Sequence, residues 1–218
     1  MIKMVVFDLD GTLCDSLTDL ALNVNKGLRA AGLPEHPVES YRKFVGNGRA
    51  ILVKRAMGGS CGDEEKYKTV TETFNSEYKI HCNDNTRAYM GCAELLNSLA
   101  EHGIMTAVLS NKPDEFIDRI LNKLYPNHTF TEAWGQKPGY PCKPDGASLH
   151  AIMSLHDVHP TECVYVGDSD VDVYTAQNGG VAMAGVSWGF RGRKELLEAG
   201  APFVADTAEE LLEYLLKL

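Results

Sequence analysis

The stretch that decides the fold is Met4-Val5-Val6-Phe7-Asp8-Leu9-Asp10-Gly11-Thr12-Leu13, in which a short apolar run passes directly into two carboxylates and a glycine. Four consecutive apolar, β-prone residues predict a strand that is buried on both faces. Residues two apart in an extended chain point the same way, so we expect Asp8 and Asp10 to face one site. Gly11 permits a sharp exit of the chain after the strand.

Three further apolar runs resemble this strand, and helical patterns alternate with them along the chain. The strands are predicted at 104–109, 163–166 and 181–186, and the helices at 91–102, 114–124, 144–156 and 171–178. Such alternation predicts an α/β fold, in which a parallel sheet is covered by helices on both faces. A last helix is predicted after Thr207, where Glu210 completes a capping-box pattern.

The connection between the first two of these strands is unusually long. It spans residues 9–103, whereas a crossover between parallel strands needs about a dozen residues. The excess is helical in pattern, with one apolar face along 17–31 and further helices around 51–56 and 67–78. We therefore expect an inserted all-helical cap domain at 15–83, which can close over a site, and an α/β core domain at 1–14 and 84–218.

Composition and charge exclude several classes of protein. The 218 residues are 44% hydrophobic and 23% charged, as in ordinary globular proteins, and the net charge of −9 disfavours nucleic acids and anionic membranes as partners. No apolar run approaches the roughly 20 residues of a membrane-spanning helix. The first apolar run is too short for an export signal. We therefore expect a cytoplasmic protein with reduced cysteines, either a monomer or a homodimer, without a nucleic-acid or membrane partner.

Polar residues follow the predicted strands, at the sheet edge where parallel sheets bind ligands. Asp8 is a competent nucleophile toward phosphorus, and Asp10 can protonate a leaving alcohol and then activate water. Ser110 and Asn111 end the second strand with donors that suit phosphoryl oxygens. Lys143 stands before a proline-started helix, where its charge can lie beside a transferring phosphoryl group.

A second acidic cluster follows the strand predicted at 163–166. Asp168 stands at the strand end, and Asp172 follows one helical turn later. If Asp8, Asp10 and Asp168 converge, their negative charges repel one another strongly in a partly dry cleft. Oxygen ligands and a phosphate substrate favour Mg²⁺, and no set of histidines and cysteines competes for zinc. The sequence therefore predicts a Mg²⁺ site.

Four motifs in this order resemble the haloacid-dehalogenase superfamily of phosphotransferases, and the resemblance covers essentially the whole chain. It implies a Rossmann-like sheet with a helical cap after the first motif. It also implies that Asp8 is the nucleophile and Asp10 the general acid and base. Ser110 would bind the phosphoryl group, and Lys143 would stabilise the intermediate.

The resemblance also implies a ligand set for Mg²⁺. The ion would be held by the Asp8 carboxylate, the Asp10 backbone carbonyl and Asp168, with Asp172 assisting. We assign substrate binding to four further residues, which are Gly11, Thr12, Asn111 and, from the cap, Arg49. For Arg49 the alternative is an exposed arginine at the start of a cap helix.

Within the superfamily the chain is most similar to the phosphoglycolate phosphatases. The similarity lies in the stretches 8–16, 46–48, 109–112, 143–144 and 185–189. It implies a small phosphorylated metabolite as the substrate. Dehalogenases of the superfamily lack the second aspartate of the first motif, and phosphonate hydrolases have alanine there, so Asp10 argues against both.

Three alternatives stay open at this point. A β-phosphoglucomutase-like sugar phosphomutase would return the phosphoryl group to a sugar, and release of inorganic phosphate separates it from a phosphatase. A phosphatase for sugar phosphates, nucleotides or pyrophosphate would differ in its preference among substrates. A non-catalytic binding protein is disfavoured because Asp8, Asp10, Lys143 and Asp168 are all present.

Overall fold

The computed structural model describes residues 1–218, in which strands and helices alternate along most of the chain. The first part comprises β1 (Met4–Phe7), β2 (Cys14–Asp15), α1 (Leu17–Ala30), α2 (Arg49–Met57), α3 (Glu64–His81) and β3 (Arg87–Ala88). The second part comprises α4 (Cys92–Glu101), β4 (Met105–Pro113), α5 (Ile117–Leu124), β5 (Glu132–Gln136), α6 (Ala147–Leu155), β6 (Cys163–Gly167), α7 (Asp170–Gly179), β7 (Ala182–Val186), α8 (Gly192–Ala199), β8 (Val204–Ala205) and α9 (Ala208–Leu215). Short 3₁₀ helices lie at Val38–Lys43, Gly58–Ser60, Asp114–Phe116 and Pro160–Glu162.

Six of the strands form one parallel sheet in the order β5-β4-β1-β6-β7-β8. Phe7 pairs with Val108 on one side and with Val166 on the other, so β1, β4 and β6 run in register toward the same edge. The chain runs from β1 to β4 on one side and returns to β6 on the other. Strand order therefore reverses at β1, and such a switch point opens a crevice beyond the carboxyl ends of the strands.

The apolar side chains of the strands pack on both faces of the sheet. Met4 and Val6 of β1 belong to one buried cluster, together with side chains of α6, α7 and α8. Val5 and Phe7 belong to the other cluster, together with α4, α5, α9 and the helices of the long insertion. Alternate residues of a strand point to opposite faces, so a strand with both faces covered is apolar throughout. The predicted α/β fold class is confirmed.

The structure differs from the sequence prediction at several elements. Two strands of the main sheet, β5 and β8, were not predicted, because Glu-Ala-Trp-Gly-Gln is no apolar run and β8 has only two residues. The second predicted strand is longer than expected, since β4 continues to Pro113. Ahead of α9, the Thr207 hydroxyl accepts the Glu210 N–H, but the Glu210 carboxylate accepts the N–H of Asp206. The capping box is therefore only half formed.

The long connection after β1 folds into α1, α2 and α3. Its two ends lie side by side, because β2 and β3 pair as antiparallel strands. The buried carboxylate of Asp19 on α1 accepts hydrogen bonds from both the backbone and the side chains of Asn85 and Thr86. These bonds tie the returning chain to the first helix of the insertion. The division into a cap at 15–83 and a core stays a prediction.

No helix of the structure combines the length and the apolar character that crossing a membrane requires.

Candidate active site

The two carboxylates of the first motif reach the cleft through a turn rather than through the pleat of a strand. β1 ends at Phe7, so the expectation that Asp8 and Asp10 both follow strand geometry is wrong. The N–H groups of Leu13 and Cys14 both donate to the Leu9 carbonyl, which closes the turn. The turn brings both carboxylates to the lining of one cleft.

Gly11 and Thr12 lie behind this surface and do not line the cleft. Gly11 has a φ of 93°, and a Cβ there would collide with the Asp168 carboxylate, so only glycine fits. Its N–H donates to the Cys14 carbonyl. The Thr12 hydroxyl donates to Asp168 Oδ1 at 3.5 Å. These contacts favour a supporting role, and substrate binding by Gly11 and Thr12 stays a prediction.

Asp8 is held by its neighbours through one oxygen only. Lys143 Nζ lies 2.9 Å from Asp8 Oδ1, and the N–H of Leu9 donates to the same oxygen at 2.7 Å. Asp8 Oδ2 therefore has no protein partner and is free to meet a ligand. Asp8 is only 8% exposed, in a site that combines burial with access from the cleft.

Lys143 is a buried cation at the centre of a hydrogen-bonded group. Its Nζ lies 2.8 Å from Asp172 Oδ1 and 3.0 Å from the Tyr165 hydroxyl, which in turn donates to the Leu109 carbonyl. Burial lowers the pKa of the Lys143 ammonium, but the Asp172 and Asp8 carboxylates outweigh it and raise that pKa above its usual value. Lys143 is therefore charged and aimed at Asp8.

Asn111 lines the cleft, but the hydrogen bonds of its side-chain amide go to Lys143 and Gly46. Its side-chain oxygen accepts the Lys143 N–H at 2.8 Å, and its Nδ2 donates to the carbonyls of Lys143 and Gly46, each at 3.0 Å. These bonds use the donors and the acceptor of the amide. The predicted role of Asn111 in substrate binding is thus less well supported than a positioning role.

Ser110 keeps a free donor at the cleft. Its Oγ accepts the N–H of Lys112 at 3.3 Å, and the hydroxyl proton has no acceptor in the protein. The residue lines the cleft beside Asp8 and is 4% exposed. A phosphoryl oxygen could accept this hydrogen bond.

Lys112, to which the sequence alone assigned no role, pairs with Asp10. Lys112 Nζ lies 2.8 and 2.9 Å from the two carboxylate oxygens of Asp10. Ser16 also donates to Asp10. Burial lowers the pKa of the Lys112 ammonium, whereas the Asp10 carboxylate and Tyr78 raise it, and the net direction is upward. The signal for this residue was its place directly after the strand-end pair Ser110-Asn111.

The carboxylates of Asp8, Asp168 and Asp172 meet closely enough to share a metal ion. Each offers an oxygen, and these oxygens all lie within 4.8 Å of one another. Against three negative charges the group contains one ammonium, that of Lys143. The donors are oxygens only, which fits a hard divalent cation such as Mg²⁺.

Of the three carboxylates, Asp172 is the least available to bind an ion, because both of its oxygens have protein partners. Its Oδ2 accepts the N–H and the hydroxyl of Ser169, and its Oδ1 pairs with Lys143. It is fully buried and does not line the cleft. Asp8 and Asp168 do line the cleft and are the better candidates for direct contact with an ion. Asp172 is better placed to hold Lys143 and Ser169 in position.

Burial and mutual repulsion disfavour the ionised forms of the carboxylates in this cluster. Burial raises the pKa of Asp8 to about 7, with Asp172 and Asp10 adding to the effect and Lys143 opposing it. Burial and the neighbouring carboxylates Asp172 and Asp8 also raise the pKa of Asp168 well above its usual range, although its Oδ2 accepts the N–H of Phe190 at 2.7 Å. A divalent cation would favour the ionised form of both groups.

The cleft lies between the sheet edge and the insertion, and charged, polar and apolar residues all line it. One wall comes from the sheet edge and the other from the insertion, which contributes Arg49, Asn75 and Tyr78. Arg49 begins α2 after Gly48, and its Nη1 donates to Asn75 Oδ1 at 2.9 Å. Asn75 and Tyr78 were not predicted as site residues, because α3 shows only an ordinary amphipathic pattern.

Comparison with known proteins agrees with this geometry. The family model of the haloacid dehalogenase-like hydrolases matches residues 5–186. The chain is 34% identical to a phosphoglycolate phosphatase of Haemophilus influenzae, with 98% of each chain covered. It is 32% identical to phosphoglycolate phosphatase 1 of Pseudomonas aeruginosa, over 96% of this chain and 78% of that protein.

The solved structures give the same result. The crystal structure of a predicted phosphoglycolate phosphatase from Haemophilus somnus matches with a TM-score of 0.90 and 28% identity. The match covers 98% of this chain and 97% of the other. The chain therefore belongs to the haloacid dehalogenase-like hydrolases. Within that family it is phosphoglycolate phosphatase-like, and it is an enzyme of the phosphoric monoester hydrolase class.

Proposed function

We propose that the protein is a Mg²⁺-dependent phosphatase that hydrolyses a small phosphomonoester, phosphoglycolate above all, through an aspartyl-phosphate on Asp8. The observation that carries this proposal is the free Oδ2 of Asp8, which lines a cleft next to the Lys143 ammonium and the unpaired Ser110 hydroxyl. The phosphoglycolate phosphatases among the relatives support the choice of substrate.

The first half of the reaction transfers the phosphoryl group to the protein. An oxygen of Asp8 attacks phosphorus and forms an O–P bond, while the bond between phosphorus and the ester oxygen breaks. Asp10, which must carry a proton in the complex with substrate despite its pairing with Lys112, gives that proton to the departing alcohol oxygen. Lys143 and the Ser110 hydroxyl hold the phosphoryl oxygens as negative charge shifts onto them.

The second half returns the protein to its starting state. Asp10, now ionised, takes a proton from a water molecule whose oxygen attacks phosphorus, and the bond between phosphorus and Asp8 breaks. Inorganic phosphate leaves. Mg²⁺ bound at Asp8, Asp168 and the Asp10 backbone carbonyl would neutralise the carboxylates and the incoming phosphate.

Phosphate release across a panel of phosphomonoesters, with and without a chelator, tests the proposal. We expect phosphoglycolate to be hydrolysed with the highest kcat/KM, and we expect the chelator to abolish turnover until Mg²⁺ is restored. Interconversion of sugar phosphates without phosphate release would indicate a mutase instead. Full activity after removal of all divalent cations would contradict the Mg²⁺ requirement.

The concentration of Mg²⁺ that the enzyme requires should depend on pH. Below about pH 7, a buried Asp8 whose pKa is raised to about 7 holds a proton that Mg²⁺ must displace. The concentration of Mg²⁺ needed for half-maximal activity should therefore fall as the pH rises from about 6 to about 8. A requirement that is unchanged over this range would contradict the metal role of Asp8.

We also propose that residues 15–83 form a cap that selects the substrate, and that Arg49 helps to hold its non-phosphate end. Arg49→Ala should raise KM for phosphoglycolate about tenfold or more, because a charge-assisted hydrogen bond is lost. KM for p-nitrophenyl phosphate should change far less. Lys54→Ala, an exposed position on the same helix, is the matched control. Equal effects of Arg49→Ala on both substrates would exclude this role.

A further inference from the structure

The side of the cleft next to Asp10 contains a buried hydroxyl without a partner. Tyr78 of α3 is 2% exposed and lines the cleft, and its hydroxyl makes no hydrogen bond within the protein. A buried polar group that gives up water and gains no partner is destabilising, and such groups are rare in folded proteins. The position of Tyr78 at the cleft indicates that a ligand supplies the partner.

Lys112 has an unused donor at the same place. An ammonium carries three N–H groups, and the Asp10 carboxylate accepts from Lys112 at 2.8 and 2.9 Å. The Lys112 side chain is 2% exposed, and its Nζ lies 5.1 Å from the centre of the Tyr78 ring. A buried cation and an unpaired hydroxyl therefore stand together at the cleft, which is a suitable pair for an anionic group with two oxygens.

We propose that Lys112 and Tyr78 bind the substrate's second anionic group, a carboxylate joined to the ester oxygen through a single methylene. This inference rests on the proposed function, in which Asp10 protonates the ester oxygen and therefore lies within hydrogen-bond distance of it. Because Lys112 touches both oxygens of Asp10, a group one carbon away from the ester oxygen is within its reach. A second anion farther along a longer substrate would lie beyond the pair.

The pair would also reject phosphomonoesters that lack the carboxylate. With such a substrate the Tyr78 hydroxyl stays buried and unpaired, and the third donor of Lys112 gains nothing. Sites built to hydrogen-bond a polar group discriminate strongly against analogues without it, for this reason. The core recognises phosphate in any monoester, so the distinction between substrates would arise at this pair and at Arg49, which also lines the cleft.

Tyr78→Phe tests the inference with little risk to the fold, because the hydroxyl has no partner in the protein to lose. The two substrates to compare are phosphoglycolate and ethyl phosphate, which has a methyl group in place of the carboxylate. We expect kcat/KM for phosphoglycolate to fall about 10- to 100-fold, because a hydrogen bond to a charged group is lost. The value of kcat/KM for ethyl phosphate should stay within about twofold of the wild-type value.

Tyr41→Phe is the matched control. Tyr41 is also a buried tyrosine of the insertion, but its hydroxyl donates to Asn25 Oδ1 at 2.7 Å and the residue does not line the cleft. This variant should lower the melting temperature without changing the ratio of the two kcat/KM values. Lys112→Met is the second test, and it should lower that ratio on the order of 10²-fold even if the loss of the Asp10 pair slows both reactions.

The outcomes separate this inference from the proposed function. If the wild-type protein hydrolyses other phosphomonoesters but does not prefer phosphoglycolate to ethyl phosphate, the assignment of the substrate fails and the inference fails with it. If the wild-type protein shows the preference and both Tyr78→Phe and Lys112→Met retain it, only the inference is overturned. A selective loss with phosphoglycolate in both variants supports it.

Discussion

Asp8→Asn should reduce turnover by at least about 10⁴-fold, to the limit of detection, because an amide is a poor nucleophile toward phosphorus. The substitution changes one atom in a buried side chain and keeps its shape. Phosphate release from phosphoglycolate and from p-nitrophenyl phosphate is the measurement. Loss of activity with both substrates is expected, because the nucleophile serves every phosphomonoester.

The stability of this variant separates lost chemistry from a lost fold. Burial and the neighbouring Asp172 raise the pKa of Asp8 to about 7, so the ionised carboxylate is less favourable in the folded protein than in the unfolded chain. The cost is absent below the ordinary pKa of an aspartate and complete above the raised value. Without divalent cations at about pH 8, Asp8→Asn should therefore melt no lower than the wild-type protein.

Asp170→Asn is the control for this experiment. Asp170 lies in the same acidic motif as Asp168, but it does not line the cleft and its Oδ1 accepts the N–H of Val171. An amide oxygen can accept the same hydrogen bond, so activity should be retained. Near-wild-type turnover of Asp8→Asn would refute the covalent route.

Asp10→Asn should lower kcat/KM for phosphoglycolate on the order of 10²–10⁴-fold, as is typical for loss of a general acid and base. The loss should be smaller for p-nitrophenyl phosphate, because nitrophenolate leaves readily without a proton whereas an alkoxide does not. Comparison of the two kcat/KM values is the measurement. A loss that is equal for both substrates would count against Asp10 as the acid that protonates the leaving group.

The ion pair between Asp10 and Lys112 requires a second control. Asp10→Asn leaves the Lys112 ammonium buried with a neutral partner, and this change alone could disturb the site. Combining Asp10→Asn with Lys112→Met removes the stranded charge. If proton transfer is what was lost, the double variant stays as slow toward ethyl phosphate as Asp10→Asn. Recovery of the rate in the double variant would assign the defect to the unpaired lysine.

Much of the candidate site could be predicted from the order of the motifs along the chain. Asp8, Ser110 and Asp168 were selected because they follow predicted strands, and Lys143 because it stands before a predicted proline-started helix. The structure brings all four to one place, with Asp8, Ser110 and Asp168 on the cleft lining and Lys143 buried behind Asp8. Their catalytic roles stay predictions. For Asn111 the geometry favours a positioning role over substrate binding, because its side-chain amide is hydrogen-bonded to Lys143 and Gly46.

Residues on the insertion were harder to find. Tyr78 sits in an amphipathic pattern with Val70 and Phe74, and nothing in that pattern separates a core tyrosine from one that lines a cleft. Lys112 lies in the stretch 109–112 and was given no role from the sequence, because nothing in the local pattern distinguishes it from a solvated lysine. Only the fold shows that this lysine is buried against Asp10.

The sequence by itself determined the class of fold and the family, because apolar periodicity and the order of motifs at strand ends are local properties of the chain. The tertiary structure alone decided which oxygens and amines are already occupied, which are free, and which side chains of the insertion face the core. Those facts depend on distances between residues that are far apart in the chain, such as Asp10 and Lys112, which are 102 residues apart. Local pattern contains no information on such distances, because they arise only when the sheet and the insertion pack together.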